Sequence, residues 1–524
     1  TTEIYTLSLH DALPISQNLS LASDGNGNTT LSWDPVASAD SYRVYRSKDD
    51  TGYAVLGSTT GTSLLLANYG WYKVSALNQA GEGALSAAKE RPEPPEEERT
   101  ATPRFTVEPG SYDEPQSVGI SCDTSGASIY YTTDGSTPVV GESPVFSSAI
   151  DIASGETVII TAIAAAVGLG NSDAALGTFR VRAWETVGSA GFSGGEVYDL
   201  ALVVDGNGFP IVSFRDGSVA DKATVMRFDG SSWSTLGSAG LSVQRAFYTD
   251  LASDSTGSLY LSYFDENTGG KATVQKFMGS SWTILGDDGF SGGTFLHSSL
   301  AVHESGETRI PFVAFQDGGS ANKLTVMKYD GTWSYVGSAG ITEGTVEYVS
   351  LAADSNGALY VAFRNGSLSG KLTVLKYDTD WEEVGSESCS SGGASYINMV
   401  LSKDGIPYVA FKDGANANKA TVLQFVSGGW FPVGGEGVSA SSAEYVSLGL
   451  GENDAVYLAY SDGDQDGKAT LLKWGGDSWS TVGTPGISQG LAGFVCLSVG
   501  GSGAPYVAYK DESLSGRVTV KVYR

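Results

Sequence analysis

The chain has 524 residues, and its 59 acidic against 31 basic side chains give a formal net charge of −28. A charge of that sign and size repels phosphate backbones and anionic lipid, so a general nucleic-acid or membrane-surface function is excluded. Hydrophobic residues at 41% and aromatics at 10% supply several packed cores and exclude global disorder, while 69 glycines and only 17% charged residues point to many turns and short strands, an all-β composition.

Residues 5–16, YTLSLHDALPIS, resemble a translated sequencing adapter of the kind that recurs in metagenomic assemblies, so residues 1–16 are expected to be foreign to the natural chain and are left out of the fold reading. No export signal is visible. No run of 18 apolar residues occurs, so no helical membrane span is expected. Cys122, Cys389 and Cys496 are too dispersed for a CxxC metal site or a disulfide framework, and each reads as a small buried hydrophobe.

Residues 17–90 carry short alternating runs, LSWDP (31–35), YRVYRS (42–47), YAVLGS (53–58) and WYKVSALNQAGEG (71–83), separated by Gly, Asn and Asp turns, the pattern of a small β-sandwich. Trp33, Tyr42, Val44, Tyr72, Val74 and Ala76 resemble the core positions of fibronectin type III modules, with Gly70 standing where many members place a corner tyrosine. No RGD is present. Residues 91–101 include RPEPPEEER, whose prolines favour extended polyproline II and whose carboxylates repel one another, so a semi-rigid spacer is expected.

Residues 102–182 contain VEPGSY (107–112), IYYTTDGSTP (129–138) and TVIITAIAAA (157–166), which resemble the β-sandwich module at the C-terminus of chitobiases and related hexosaminidases. That resemblance implies an accessory module without catalytic residues in a carbohydrate-linked setting. Asp134, which precedes Gly in the DGSTP turn, reads as a turn residue rather than an acid catalyst.

Residues 183–524 are a repeat. A tryptophan returns at Trp184, Trp233, Trp282, Trp333, Trp381, Trp430 and Trp479, at intervals of 49, 49, 51, 48, 49 and 49. Each copy reads as four short strands with no helical period, and seven such units resemble a seven-bladed β-propeller. The first copy opens with only the tryptophan strand and the last ends on a third strand, RVTVKVYR (517–524), so the two ends are expected to pair and close the ring.

The repeated positions divide by what they do. The tryptophans, each beside a VG-type turn, are expected to pack between blades rather than bind sugar. The series Asp216, Asp265, Asp317, Asn365, Asp413, Asp462 and Asp511, each followed six residues later by Lys or Arg, reads as hairpin scaffolding. In DGDQDG (462–467), Asp462, Asp464 and Asp466 have the DxDxDG spacing of a calcium loop, but Lys473 occupies the twelfth position where a bidentate Glu is needed. A calcium ion at that loop and a solvated acidic turn are both retained, and no other cofactor is expected.

A different position varies in a way that suits a ligand. At the start of the inner strands stand Asp199, Tyr248, His297, Tyr348, Tyr396, Tyr445 and Phe494, with Glu347 and Glu444 one residue before two of them. A ring of aromatics with acids beside it can stack on sugar faces or clamp a peptide, or can merely pack. The leading reading is therefore a non-catalytic extracellular or cell-surface protein of secreted bacterial type, whose propeller binds glycan or a cell-surface protein. A protein-interaction scaffold is the alternative. A glycosidase or lyase is the third reading, with Asp199 and Asp250 as its carboxylate pair, but no sialidase box, HExxH, nucleophile elbow or phosphate loop supports it.

Overall fold

The computed structural model describes residues 13, 16–24, 28–78, 81–92, 99–385 and 388–524, and it divides into two compact units with the boundary between Arg182 and Ala183. Most of the 1–16 segment and the centre of the 91–101 spacer lie outside the described residues.

In the first unit, Ser20–Ser23, Thr29–Ser32 and Ser63–Leu66 form one sheet, and Ala54–Thr59, Ser41–Ser47, Gly70–Asn78, Gly81–Glu82 and Lys89–Arg91 form another. Alternation along these strands sends Leu31, Tyr42, Val44, Tyr72, Val74 and Ala76 into one shared core with Trp33. Leu13 is buried in the same core, so a side chain from the segment set aside in the sequence reading packs there. Two residues after Gly70, the Tyr72 hydroxyl donates to the Asn68 carbonyl four residues upstream.

A second group of sheets follows. Gly110–Tyr112, Ala175–Val181, Thr157–Ala165 and Ser128–Thr132 make a four-stranded sheet, accompanied by two short pairs. Val118, Ile120, Ile152, Ile160 and Phe179 fill its core. Asp134 holds its turn, its Oδ1 accepting the Ser136 amide at 2.9 Å.

The second unit is a ring of four-stranded antiparallel sheets, the arrangement of a β-propeller. The innermost strands are Val197–Val204, Ala246–Ser253, Phe295–Ser305, Val346–Ala353, Ala394–Leu401, Ala443–Leu450 and Ala492–Val499. Each neighbours the next, and the last neighbours the first. One sheet is composite: Trp184–Thr186 pairs with Arg517–Tyr523 in the register Trp184↔Tyr523 to Thr186↔Lys521, so the ends of the unit are sheet partners as the phase of the repeat requires.

Between sheets lie cores such as Phe312, Val326, Val346, Val361 and Phe363, drawn from the first three strands, and the apolar residues of the second and third strands face both neighbours. The tryptophans lock this packing. In every sheet the indole Nε1 donates to a backbone carbonyl of the preceding sheet, from Trp184 to Val482 through Trp479 to Val433, at 2.7–2.9 Å. Phe192 and Phe290 also stack flat on Trp233 and Trp333, with centroids 3.9 and 3.8 Å apart. Trp333→Phe keeps the stacking partner but leaves the Leu285 carbonyl unpaired; a loss of about 1–3 kcal/mol is expected in denaturant unfolding.

Candidate functional site

The second strand of each sheet ends in the Asp or Asn of the repeated pair. Its Oδ1 accepts the amide two residues on, from Ser218, Asn267, Gly319, Ser367, Ala415, Asp464 and Ser513, at 2.9–3.1 Å. The basic partner sits directly across the hairpin, as in Asp216↔Lys222 and Asp511↔Arg517. These residues build the turns around one end of the ring.

Asp462 does the same in the sixth sheet, and Asp466 adopts the left-handed conformation that closes the turn. The three carboxylates of 462–467 are strung along that turn, and among the described residues no group of three or more His, Cys, Asp or Glu side chains is placed to hold a metal ion.

At the same end, every innermost strand carries a bulge. The register slips between Tyr198 and Ala201, Phe247 and Asp250, and likewise in the other five. Each bulge holds one residue in the left-handed region: Asp199, Tyr248, His297, Tyr348, Tyr396, Tyr445 and Phe494, with φ between 44° and 52°. A bulge of this kind re-aims a side chain. For a bulky residue the conformation costs about 1–3 kcal/mol where glycine would adopt it freely.

The consequence is a continuous belt of six aromatic rings. From Tyr248 through His297, Tyr348, Tyr396 and Tyr445 to Phe494, successive centroids are 5.0–5.5 Å apart and the planes tilt by 38–55°. The rings are half-buried. Tyr396, Tyr445 and Phe494 line an open central cavity of about 390 Å³. That is large enough for a small ligand. Burial raises the hydroxyl pKa of Tyr248, Tyr396 and Tyr445, so each remains a protonated donor at neutral pH, and burial lowers the imidazole pKa of His297 although Glu347 opposes it.

Asp199 fills the seventh position and breaks the belt with a polar notch. Its Oδ2 accepts the Tyr248 amide at 3.1 Å and lies 3.3 Å from Arg215 Nε. Burial raises its pKa, against the pull of the guanidinium. Glu347 and Glu444 do reach this end, but each is held by a cation, Glu347 by Arg364 of the adjacent strand and Glu444 by Lys412 of the preceding sheet.

Sequence reasoning missed those cations, together with Lys510 and Tyr198. Arg215 lies 4.1 Å and Lys510 4.5 Å from the Tyr198 ring. A signal was present: the position before the turn Asp or Asn is basic at Arg215, Arg364, Lys412 and Lys510, an excess in so acidic a chain.

Beneath the belt runs a second ring: Ala201, Asp250, Ser299, Ser350, Asn398, Ser447 and Cys496. Five of these side chains accept an inner-strand amide from the next sheet, including Ser299 from Leu351 and Asn398 from Leu448. Cys496 instead donates its thiol to the Leu200 carbonyl, and burial pushes its pKa up to about 12. Cys389 packs among apolar residues as an apolar plug, its thiol likewise at about 12. Asp250 is committed to backbone: Oδ2 accepts Leu300 and Oδ1 accepts Leu251, both at 2.8 Å.

A larger cleft of about 450 Å³ opens at the opposite end of the strands, between the hairpin turns of the first and composite sheets, lined in part by Phe209, Phe228, Tyr506 and Arg524. It has none of the belt's repeated aromatics.

No curated protein matches the chain. Among solved structures, the Aleuria aurantia lectin with bound Fucα1-6GlcNAc is 16% identical, covering 55% of this chain and 97% of that one with a TM-score of 0.41. A protein of unknown function from Dyadobacter fermentans is 11% identical, covering 65% and 99%, also with a TM-score of 0.41. SapL1 lectin with α-methyl fucoside is 15% identical, covering 56% and 97%, with a TM-score of 0.39. At these scores the likeness carries no argument about ligand or mechanism. One match is specific: residues 107–176 are similar to the family described as the chitobiase/beta-hexosaminidase C-terminal domain.

Proposed function

We propose that the second unit is a seven-bladed β-propeller that binds carbohydrate, without catalysis, at the belt end of its channel, in an extracellular or cell-surface protein. The residues 17–90 would be a fibronectin type III-like spacer and residues 102–182 an accessory module. The observation that carries the reading is the six aromatic residues held in the left-handed conformation at one register position, three of them lining a central cavity. Packing alone does not call for that strain, whereas stacking on sugar C–H faces needs flat rings aimed at the ligand. The chitobiase-type module fits the same setting.

The proposed ligand-binding set is Tyr248, His297, Tyr348, Tyr396 and Tyr445, with Asp199, Glu347 and Glu444 as polar acceptors. Asn tolerates the left-handed region, so Tyr348→Asn with Tyr396→Asn removes two rings while keeping the backbone. Binding on a glycan array is expected to fall at least about tenfold, since each lost ring removes roughly 1 kcal/mol or more of contact. A belt that only packs predicts the reverse: a lower melting temperature with any glycan binding unchanged.

A further inference from the structure

We infer that the mouth selects uncharged glycan chains and turns away acidic ones; this rests on the glycan reading above and specifies its ligand class. Of the basic side chains at this end, the four that stand one position before the turn Asp or Asn are each already closed onto protein carboxylate. Arg215 lies 3.3 Å from Asp199 and 3.5 Å from Asp221. Arg364 lies 3.6 Å from Glu347, and Lys412 bonds Glu444. Lys510 lies 2.6 Å from Glu196 and 3.0 Å from Glu512.

Six carboxylates thus face four cations, in a chain of net charge −28. Three of the cations are also sheltered, with side-chain exposures of 17% for Arg215, 18% for Lys412 and 9% for Lys510. A ligand carboxylate or sulfate would have to take a cation from its partner and leave that partner unpaired beside a new negative charge. Breaking a sheltered pair in this way is unfavourable. An uncharged sugar avoids the exchange. Its C–H faces stack on the rings, and its hydroxyls donate to carboxylate oxygens, each of which has lone pairs beyond those the cations use.

Acidic glycans are met in many sugar-binding sites through unpaired arginine or lysine, and that provision is missing from these four. The geometry also supplies a way to create it. Substituting Glu444→Gln leaves Lys412 beside the Tyr396 ring, from whose centroid it lies 5.8 Å away, with no carboxylate to neutralise it.

The test is calorimetric titration of the full chain with uncharged oligosaccharides (gluco-, xylo- and N-acetylglucosamine oligomers) and with acidic ones (oligogalacturonate, hyaluronan oligomers). Between about 20 and about 300 mM salt, the expected result is binding confined to the uncharged class that changes less than about twofold, because no net ion pair forms on binding. In Glu444→Gln an acidic oligomer is expected to gain at least about tenfold, and to lose that gain at the higher salt. Acidic oligomers that bind the wild type more tightly than uncharged ones, at a site abolished by Tyr348→Asn with Tyr396→Asn, would overturn the inference while leaving the glycan reading standing. Binding of neither class, or binding that survives the belt substitutions, defeats the glycan reading and the inference with it.

Discussion

Removal of residues 517–524 is expected to abolish cooperative folding of the ring. That strand carries Val518, Val520, Val522 and Tyr523, all 3% exposed or less, and it is the only link between Trp184–Thr186 and Pro505–Asp511. Burying each such side chain contributes about 1.5–3 kcal/mol, so the four together approach the whole stability of an ordinary domain. The loss is not confined to area. Two strands would be left with unpaired edges, and the Trp184 indole, which donates to Val482, would lose its support at the Tyr523 ring. Urea unfolding followed by tryptophan fluorescence is expected to lose the transition of the ring in the shortened chain and to keep only that of the first unit, whose core holds Trp33. A ring transition of unchanged midpoint would mean that the ring does not depend on the pairing of its ends.

The second large effect concerns Asp250, whose two oxygens serve two sheets. In four other sheets the equivalent side chain, Ser299, Ser350, Asn398 or Ser447, caps one amide of its neighbour. Ala201 has nothing to offer Leu251, and Asp250 takes that amide itself while also capping Leu300. The arrangement buries a carboxylate, and burial raises its pKa from 3.8 to about 6. That shift corresponds to about 3 kcal/mol against the charged form. The sign follows from the folded value lying above the unfolded one: this stabilisation is complete below about pH 4 and is lost as pH rises through about 6.

Asp250→Ser should therefore cost about 1–3 kcal/mol at pH 4.5, because the Leu251 amide is left unpaired. Adding Ala201→Ser should restore it. At pH 7.5 the double variant should exceed the wild type by about 2–3 kcal/mol, since both amides are capped and no buried charge remains. Denaturant midpoints at the two pH values check the reversal. Equal midpoints for the wild type and the double variant at both pH values would show that Ala201 and Asp250 are not coupled in this way.

The period of tryptophan, the strand pattern and the incomplete first and last copies were legible because they are local and repeated: one misread copy is corrected by six others. The Asp–Lys spacing of six was legible for the same reason, since a hairpin turn maps sequence distance directly onto a cross-strand pair, as in Asp317↔Lys323. The positions of Tyr248, His297 and Tyr348 could be aligned from the repeat, but their conformation could not. A left-handed aromatic leaves no mark in composition, because the bulge that imposes it is a property of strand pairing.

Partnerships between sheets were likewise hidden. Glu347 and Glu444 look like free acids in the sequence, and Asp250 looks like a catalytic candidate. Arg364, Lys412 and the amide of Leu300 are brought to them from other strands, while Asp250 also takes the amide of its own neighbour Leu251.

By itself, the sequence determined that the chain is all-β, that 183–524 is a repeat of four-stranded units, and that its two ends must meet, because period-two alternation and a period near 49 residues are written in the order of side chains. Only the tertiary structure decided which carboxylates are occupied by a cation or an amide, because that depends on distances of a few ångströms between groups on different strands and sheets, which no one-dimensional pattern records.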